Sequence, residues 1–499
     1  MLNERESTGV EPFSDDLNSL GTEENIKVNS TKKGLLIVFV AILLIVIAVG
    51  IILFVVLSSK PEENQQPPQP PQPPQPNPEE KKEIKNFILS KFVVEDITKQ
   101  IKIYHQSYND TISSLEVDNN TVKINYTIIF ESKGEHLVKI VFKNELTSLN
   151  NLFFKANNLL EVDLSNLKTS NIESASDMFN GCTNLKTITN FDTSKISNIS
   201  NMFTDCSSLE SINLDMFKND VLLDVYGLFS GCNHLKTIDF GNFNTKNIVN
   251  MSHLFSGCNS LENINLDTFN TEKVEDMSNM FYGCSALKSL NLDNFITSKV
   301  VHMYGMFDGC SNIKSLNLEK FDTKNVEDMF FMFGDCLSLN SLNINNFNTN
   351  KVINMFGMFK NCEKLEKIDI SHFDTKNVED MGDMFGNCTS LKEINLNNLN
   401  TDNLKYMTGM FEGCSALNSL DLTSFNTDNV EDVRLLLNDC KNLISLDFSN
   451  FNTLNIKDYK GIFDGLPEEG EIKYNSKIFM KNIIDLLPEK WIKEDIENN

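Results

Sequence analysis

Eleven cysteines, Cys182, Cys206, Cys232, Cys258, Cys284, Cys310, Cys336, Cys362, Cys388, Cys414 and Cys440, are all the thiols of the chain, and from Cys206 onward they recur every 26 residues. A thiol can act as a nucleophile, a metal ligand, half of a disulfide or a small apolar side chain. A disulfide ladder would need neighbouring cysteines about 4.4–6.8 Å apart at Cα, which stacked coils about 4.8 Å apart approach. Stacked side chains point the same way, however, so the ~90° torsion is hard to reach at every step, and an odd number cannot all pair. Zinc needs two or more ligands converging from one unit. The nearest approach is Cys232-Asn233-His234, and the six histidines occupy unrelated repeat positions. Core packing is the reading left for the column, with no metal and no cofactor expected.

Paired carboxylates recur at Glu275-Asp276, Glu327-Asp328, Glu379-Asp380 and Glu431-Asp432. Such pairs can serve as acid and base, but here their neighbours are equivalent acids of the adjoining units, not a nucleophile in a cleft. No phosphate loop, Ser-His-Asp constellation or metalloprotease motif occurs, so the chain is expected not to be an enzyme. A net charge of −25 leaves no basic face for nucleic acid. Neutral or cationic partners are expected instead. The best candidate for binding is a strip of asparagines and aspartates at one repeat position: Asn213, Asp239, Asn265, Asn291, Asn317, Asn343, Asp369, Asn395 and Asp421, joined by Asp267 and Asp293. Such a polar, mildly acidic strip suits glycans or cationic protein segments, although an amide ladder serving only the coils explains it equally well.

A fixed period of this size marks a solenoid, in which each unit buries its apolar face on its neighbours. Twelve copies run over residues 157–466, and a half-copy, LNNLFFKA, precedes them. In the unit 259–284, Ile264 and Leu266 alternate with polar residues as in a short strand. Val274, Met277, Phe281 and Cys284 then fall at helical spacing with Met280 beside them. Asn325 ahead of Glu327 and Asp328 reads as a helix cap with acids in the first turn. Before each cysteine stands Gly, Asp or Asn, the types that tolerate a left-handed helix end. The expected fold class is therefore an α/β solenoid of leucine-rich-repeat-like strand–helix coils, with the polar strip on an inner, concave strand side.

The flanks differ from the repeats. Residues 34–57 are 24 uncharged, almost wholly apolar positions, enough to cross a ~30 Å hydrocarbon layer. A transmembrane helix is expected there, and Lys27, Lys32 and Lys33 ahead of it place the N-terminus in the cytoplasm. Residues 1–33 read as a disordered cytoplasmic tail. Residues 58–83 hold nine of the twelve prolines and read as an extended polyproline spacer outside the cell. Residues 84 to about 143 contain runs that alternate with period two, so 84–156 are expected to be a β-rich N-terminal cap with the half-repeat, and 467–499 a C-terminal cap.

Units such as SLNLEKFDTKNVEDMFFMFGDC resemble the BspA-like leucine-rich-repeat surface proteins, whose repeat is a mycoplasma-type domain of unknown function, and the resemblance covers residues 157–466. The C-terminal flank, with EIKYN and Trp491, is similar to that family too. The resemblance implies surface display and adhesion. Joined to the residue-level reading, it leads to a single-pass cell-membrane protein with an extracellular solenoid that binds protein or glycan ligands, the alternative being a receptor that relays ligand binding to its cytosolic tail.

Overall fold

The computed structural model describes residues 86–217 and 220–497. At its start, β1 (Phe87–Val94) pairs antiparallel with β6 (Gly134–Phe142) on one edge and with β7 (Leu159–Asp163) on the other. On the far edge of β6 lies β3 (Ile112–Val117), followed by β4 (Asn120–Val122), while β2 (Ile101–Lys102) and β5 (Thr127–Ile128) make a small separate ladder. Because β7 belongs to the first coil, β1 covers an edge that would otherwise face solvent unpaired.

From β7 onward the chain is a solenoid of 26-residue coils. The strand side carries β8 (Thr187–Thr189), β9 (Ser211–Asn213), β10 (Thr237–Asp239), β11 (Ser315–Asn317), β12 (Ser341–Asn343), β13 (Lys367–Asp369), β14 (Glu393–Asn395), β15 (Ser419–Asp421) and β16 (Ser445–Phe448). They pair in parallel and in register with the neighbouring coil, so Ser315 meets Ser341 and Leu316 meets Leu342. After β16 the sheet continues through β17 (Glu471–Tyr474) to β18 (Ile492–Asp495). Trp491 seals this end: it is buried, its Nε1 donates to the Pro467 carbonyl at 2.8 Å, and Gly470 leaves room for the ring.

The expected strand–helix coil is corrected by the hydrogen bonding of its second half. In an α-helix every N–H bonds four residues back within its own segment. Over residues 277–284 the N–H groups instead alternate. Those of Met277, Asn279, Phe281 and Gly283 donate to His302, Tyr304, Met306 and Asp308 of the next coil at 2.7–3.0 Å. Those of Met280, Tyr282 and Cys284 close turns onto Met277, Asn279 and Phe281. Positive φ at Asn279 (+53°) and Gly283 (+67°) makes this possible, since a left-handed residue every fourth position redirects the backbone where a helix would continue. The coils are thus strand-and-turn coils, a β-solenoid, and among the described residues the α-helix is confined to α1 (Lys481–Ile484). Asp328, expected in a helix first turn, uses Oδ1 to accept the Phe330 N–H two residues on at 2.9 Å, a turn-closing role.

The membrane reading is corrected as well. The finding that stands against the transmembrane helix and the single-pass location is that among the described residues no helix is long and apolar enough to cross a membrane. Residues 34–57, the tail 1–33 and the spacer 58–83 lie outside the described residues.

The core is a set of columns. Phe153, Phe179, Phe203, Phe229, Phe255, Phe281, Phe307, Phe333, Phe359, Phe385 and Phe411 stack with centroids 5.5–6.1 Å apart and planes within 20°. Each buried ring contributes roughly 1.5–3 kcal/mol, which makes this column a principal source of stability. Beside it runs a buried polar column. Thr323 Oγ1 donates to the Asn348 carbonyl at 2.9 Å and accepts the Asn348 N–H at 2.7 Å, and Thr245, Thr271, Thr297, Thr401 and Thr427 do the same one coil apart. A single buried hydroxyl thereby satisfies both backbone polar groups of one residue in the next coil.

Candidate functional site: the strand side of the solenoid

Within each three-residue strand the middle side chain points inward and the outer two are exposed. From β9 onward the third residue is the Asn or Asp of the polar strip, Asn265 and Asn291 hold the same position in coils without an assigned strand, and the side-chain oxygen is already committed. Asn213, Asp239, Asn265, Asn291, Asn317, Asn343, Asp369, Asn395 and Asp421 each accept the N–H two residues on, at 2.7–3.3 Å. Asp267 and Asp293 accept the amides of Asn291 and Asn317 from the next coil at 3.0 and 3.1 Å. The strip thus closes turns and links coils, and what it leaves for a partner is the remaining amide or carboxylate edge. At Asp369 the Ser371 hydroxyl and N–H hold the carboxyl below its usual range.

A depression of about 660 Å³ lies on this side. Leu342, Ile368 and Ile394 belong to its lining, together with Asn343, Asp369 and Asn395 and the charged pair Lys367 and Glu393, which face each other in register. Its position follows from the pairing: β11 joins β12 and β13 joins β14, whereas β12 and β13 are not bonded as one sheet, so the ladder parts beneath it. A few convergent polar groups around buried Ile368 and half-buried Leu342 and Ile394 are what an interaction site requires.

The cysteine column is elsewhere, inside the coils. All eleven thiols are free and buried. Each Sγ approaches the carbonyl of a phenylalanine one coil back, as Cys284 does to Phe255 at 3.1 Å and Cys440 to Phe411 at 3.1 Å. The S–H is a weak donor to an otherwise buried acceptor. Burial pushes the Cys284 thiol up to about 12, far from a reactive thiolate. Cys232 and His234 do not converge, since Cys232 faces the Phe203 carbonyl at 3.0 Å and His234 Nδ1 faces that of Ser207 at 2.8 Å. Among the described residues no group of three or more His, Cys, Asp or Glu side chains is placed to hold a metal ion.

The N-terminal cap does bring together a serine, a histidine and an aspartate. His136 Nδ1 lies 2.7 Å from Asp118 Oδ2, and this bond is the main cause that lowers the Asp118 carboxyl. The other ring nitrogen is occupied by the Ser132 carbonyl at 3.0 Å, with Ser132 Oγ at 3.5 Å. A nucleophile must sit on that nitrogen within about 2.6–3.2 Å. Here a backbone oxygen takes its place, and the buried ring clamps β6 to the turn at Asp118, whose Oδ1 also accepts the Leu137 N–H.

Two groups of residues were missed in the sequence. The threonine column was visible as the T of F-[DN]-T but carried no assigned role. The other group is a partly exposed aromatic cluster on the turn side, where Phe330 and Phe356 stack at 5.6 Å and Phe331 tilts against both. Its signal is a break in the repeat: Ser252 and Ser278 stand where Phe330 stands, and Gly305 and Gly357 where Phe331 stands.

Unbroken parallel bridging from Ser148 to Asp458, with turns in place of helices, defines the class as a repeat β-solenoid. The chain belongs to the family described as "Mycoplasma protein of unknown function, DUF285", which matches overlapping segments between residues 147 and 473, about two thirds of its length. A comparison with curated proteins finds no match. Among solved structures, the chain is similar to that of the TLR13–ssRNA13 complex at 14% identity and TM-score 0.18, over 70% of this chain and 52% of that one. The Toll–Spatzle complex of Drosophila matches at 14% and 0.16, over 60% and 51%, and the plant peptide hormone receptor RGFR1 in complex with RGF2 at 13% and 0.16, over 67% and 74%. The chain spans about half the length of the first two. At TM-scores this low the molecules do not superpose as wholes, and what those proteins bind says nothing of this one.

Proposed function

We propose that this protein is a non-catalytic interaction solenoid whose strand side holds a protein or glycan partner and whose repetition makes it an adhesive surface. The depression over Leu342, Ile368 and Ile394, rimmed by Asn343, Asp369 and Asn395, is the observation that carries this reading. A shallow polar site of this kind binds weakly by itself, and neighbouring coils that present equivalent side chains add avidity without any new type of contact.

The test is direct. The full chain, immobilised on beads, is offered an array of purified proteins and an array of glycans, alongside a variant with Leu342→Arg and Ile394→Arg. Both side chains are half-buried against the core, so circular dichroism must show that the coils persist before capture is compared. Wild-type beads should capture at least one array member that the variant loses. Identical capture by both would overturn the strand-side assignment.

A further inference from the structure

In a solenoid the structural needs of every coil are met by the repeated residue types, so departures confined to adjacent coils point to something other than the fold. The turn side has such a place beyond the smaller Tyr226–His253 contact in the same two columns. Tyr304, Phe330 and Phe356 occupy one repeat position in three successive coils, and the adjacent position holds Phe331. Phe330 is 39% exposed. Phe331 adopts φ +48° in the column otherwise held mainly by Gly, Asn and Asp, a strained conformation for a bulky residue. Glycines make space for the rings: a Cβ on Gly357 would lie 2.8 Å from the Phe331 ring, and one on Gly382 would lie 2.9 Å from that of Phe356.

The column three residues earlier alternates acid with aliphatic: Glu275, Val301, Glu327, Ile353, Glu379. Farther along, the acids of this column are neutralised by lysines one coil on, Glu379 by Lys405 and Glu431 by Lys457, both at 2.7 Å. Beside the aromatic cluster the pattern changes. Val301 and Ile353 take the place of lysine, Ile353 is 54% exposed, and neither Glu275 nor Glu327 is in an ion pair among the described residues. Below the rings Asp308 adds a buried carboxylate oxygen without a hydrogen-bond partner, 2.9 Å from where a Gly334 Cβ would sit. Exposed rings beside unneutralised carboxylates attract cations that also carry apolar surface.

The spacing narrows the partner further. Successive acids are two coils apart, ~9.6 Å at ~4.8 Å per coil. A polyproline II chain advances ~3.1 Å per residue with three residues per turn, so every third side chain lies on one face at ~9.3 Å. We infer that the ridge formed by Glu275, Val301, Glu327 and Ile353, flanked by Phe330 and Phe356, docks a polyproline-type protein segment with Lys or Arg at every third position. The basic groups meet Glu275 and Glu327, and the intervening prolines lie on Val301, Ile353 and the rings. This site is independent of the strand-side reading.

The probe is a fluorescein-labelled nonapeptide, Arg-Pro-Pro repeated three times, titrated into the full chain and followed by anisotropy. Controls are a peptide of the same composition with its three arginines contiguous, and Glu-Pro-Pro repeated three times. The periodic basic peptide should bind best, lose affinity in high salt, and weaken at least about fivefold with Glu327→Gln and with Phe330→Ser, both exposed positions. Absence of wild-type binding, equal binding of the contiguous peptide, or full affinity in both variants would overturn the inference. Leu342→Arg with Ile394→Arg should leave this binding intact. Loss there with retention in Phe330→Ser would place the peptide on the strand side, overturning this site while leaving the strand-side function standing.

Discussion

The two long sides of each coil are held together unequally. On the turn side, parallel bridges run without a break from Ser148 to Asp458, and around Asn279 alternate N–H groups reach the next coil. On the strand side, three-residue strands pair as β9 with β10, β11 with β12 and β13 with β14, with gaps between the pairs. The turn side is therefore the spine, and the strand side is the looser face on which side chains can be given over to partners. Loss of packing on the spine should cost far more than any change on the strand face.

The largest effect tests that contrast. Phe281→Ala removes one ring from the middle of the buried stack and should cost about 3–5 kcal/mol in denaturant unfolding, whereas Asn343→Ala on the strand face should cost about 1 kcal/mol, the worth of one turn-closing hydrogen bond. Equal costs would mean that the two sides share the load. Thr323→Val comes next. It keeps the shape but strands the Asn348 N–H and carbonyl, at about 1–3 kcal/mol for each group left unsatisfied. Thr323→Ser, which retains the hydroxyl, should recover most of the loss, and failure to recover would show that the methyl group mattered more than the hydrogen bonds.

Much of this architecture is legible in the residues, and the places where it is not have a physical reason. The 26-residue register, the inward Met, Phe and Cys positions and the left-handed residue before each cysteine are all apparent without coordinates. The helix was a misreading because a run of four-residue turns places apolar side chains at the same spacings of three and four as a helix does. The contrary signal was present at Asp177, Asn201, Gly227, Gly305, Gly357 and Gly409, a second column of Gly, Asn and Asp in mid-segment, and all six have positive φ. The polar strip was equally ambiguous, because an Asn or Asp that closes a turn and one that faces a ligand look alike in a sequence. Phe330, Phe331 and Phe356 are not marked by the 26-residue period, because they are departures from it.

Gly409→Ala turns the misreading into a measurement with opposite signs. In a helix interior, alanine for glycine gains about 1 kcal/mol. At φ +58° with the Asp383 carboxylate 2.5 Å from the new Cβ, it should instead lose about 1–2 kcal/mol. A stabilised variant would restore the helical coil.

The smallest effect concerns a single carboxyl of the spine. Asp308 is pushed up to about 7, mainly by burial and secondarily by the charge of Asp335, and its Oδ1 has no partner. A carboxyl whose folded-state value lies above its unfolded value of 3.8 binds its proton more tightly in the folded chain. Its contribution to stability is thus fully present below about pH 4 and declines as the pH rises through 7. Water still reaches part of the side chain, so the change is modest, about 1–3 °C in the unfolding midpoint. Asp308→Asn, which cannot ionise, should raise the midpoint at pH 8 and leave it nearly unchanged at pH 4, whereas Asp369→Asn on the strand face, where the carboxyl is held below its usual range, should lower it at pH 8. Parallel shifts in the two variants would show that the spine does not bury its acids as this geometry requires.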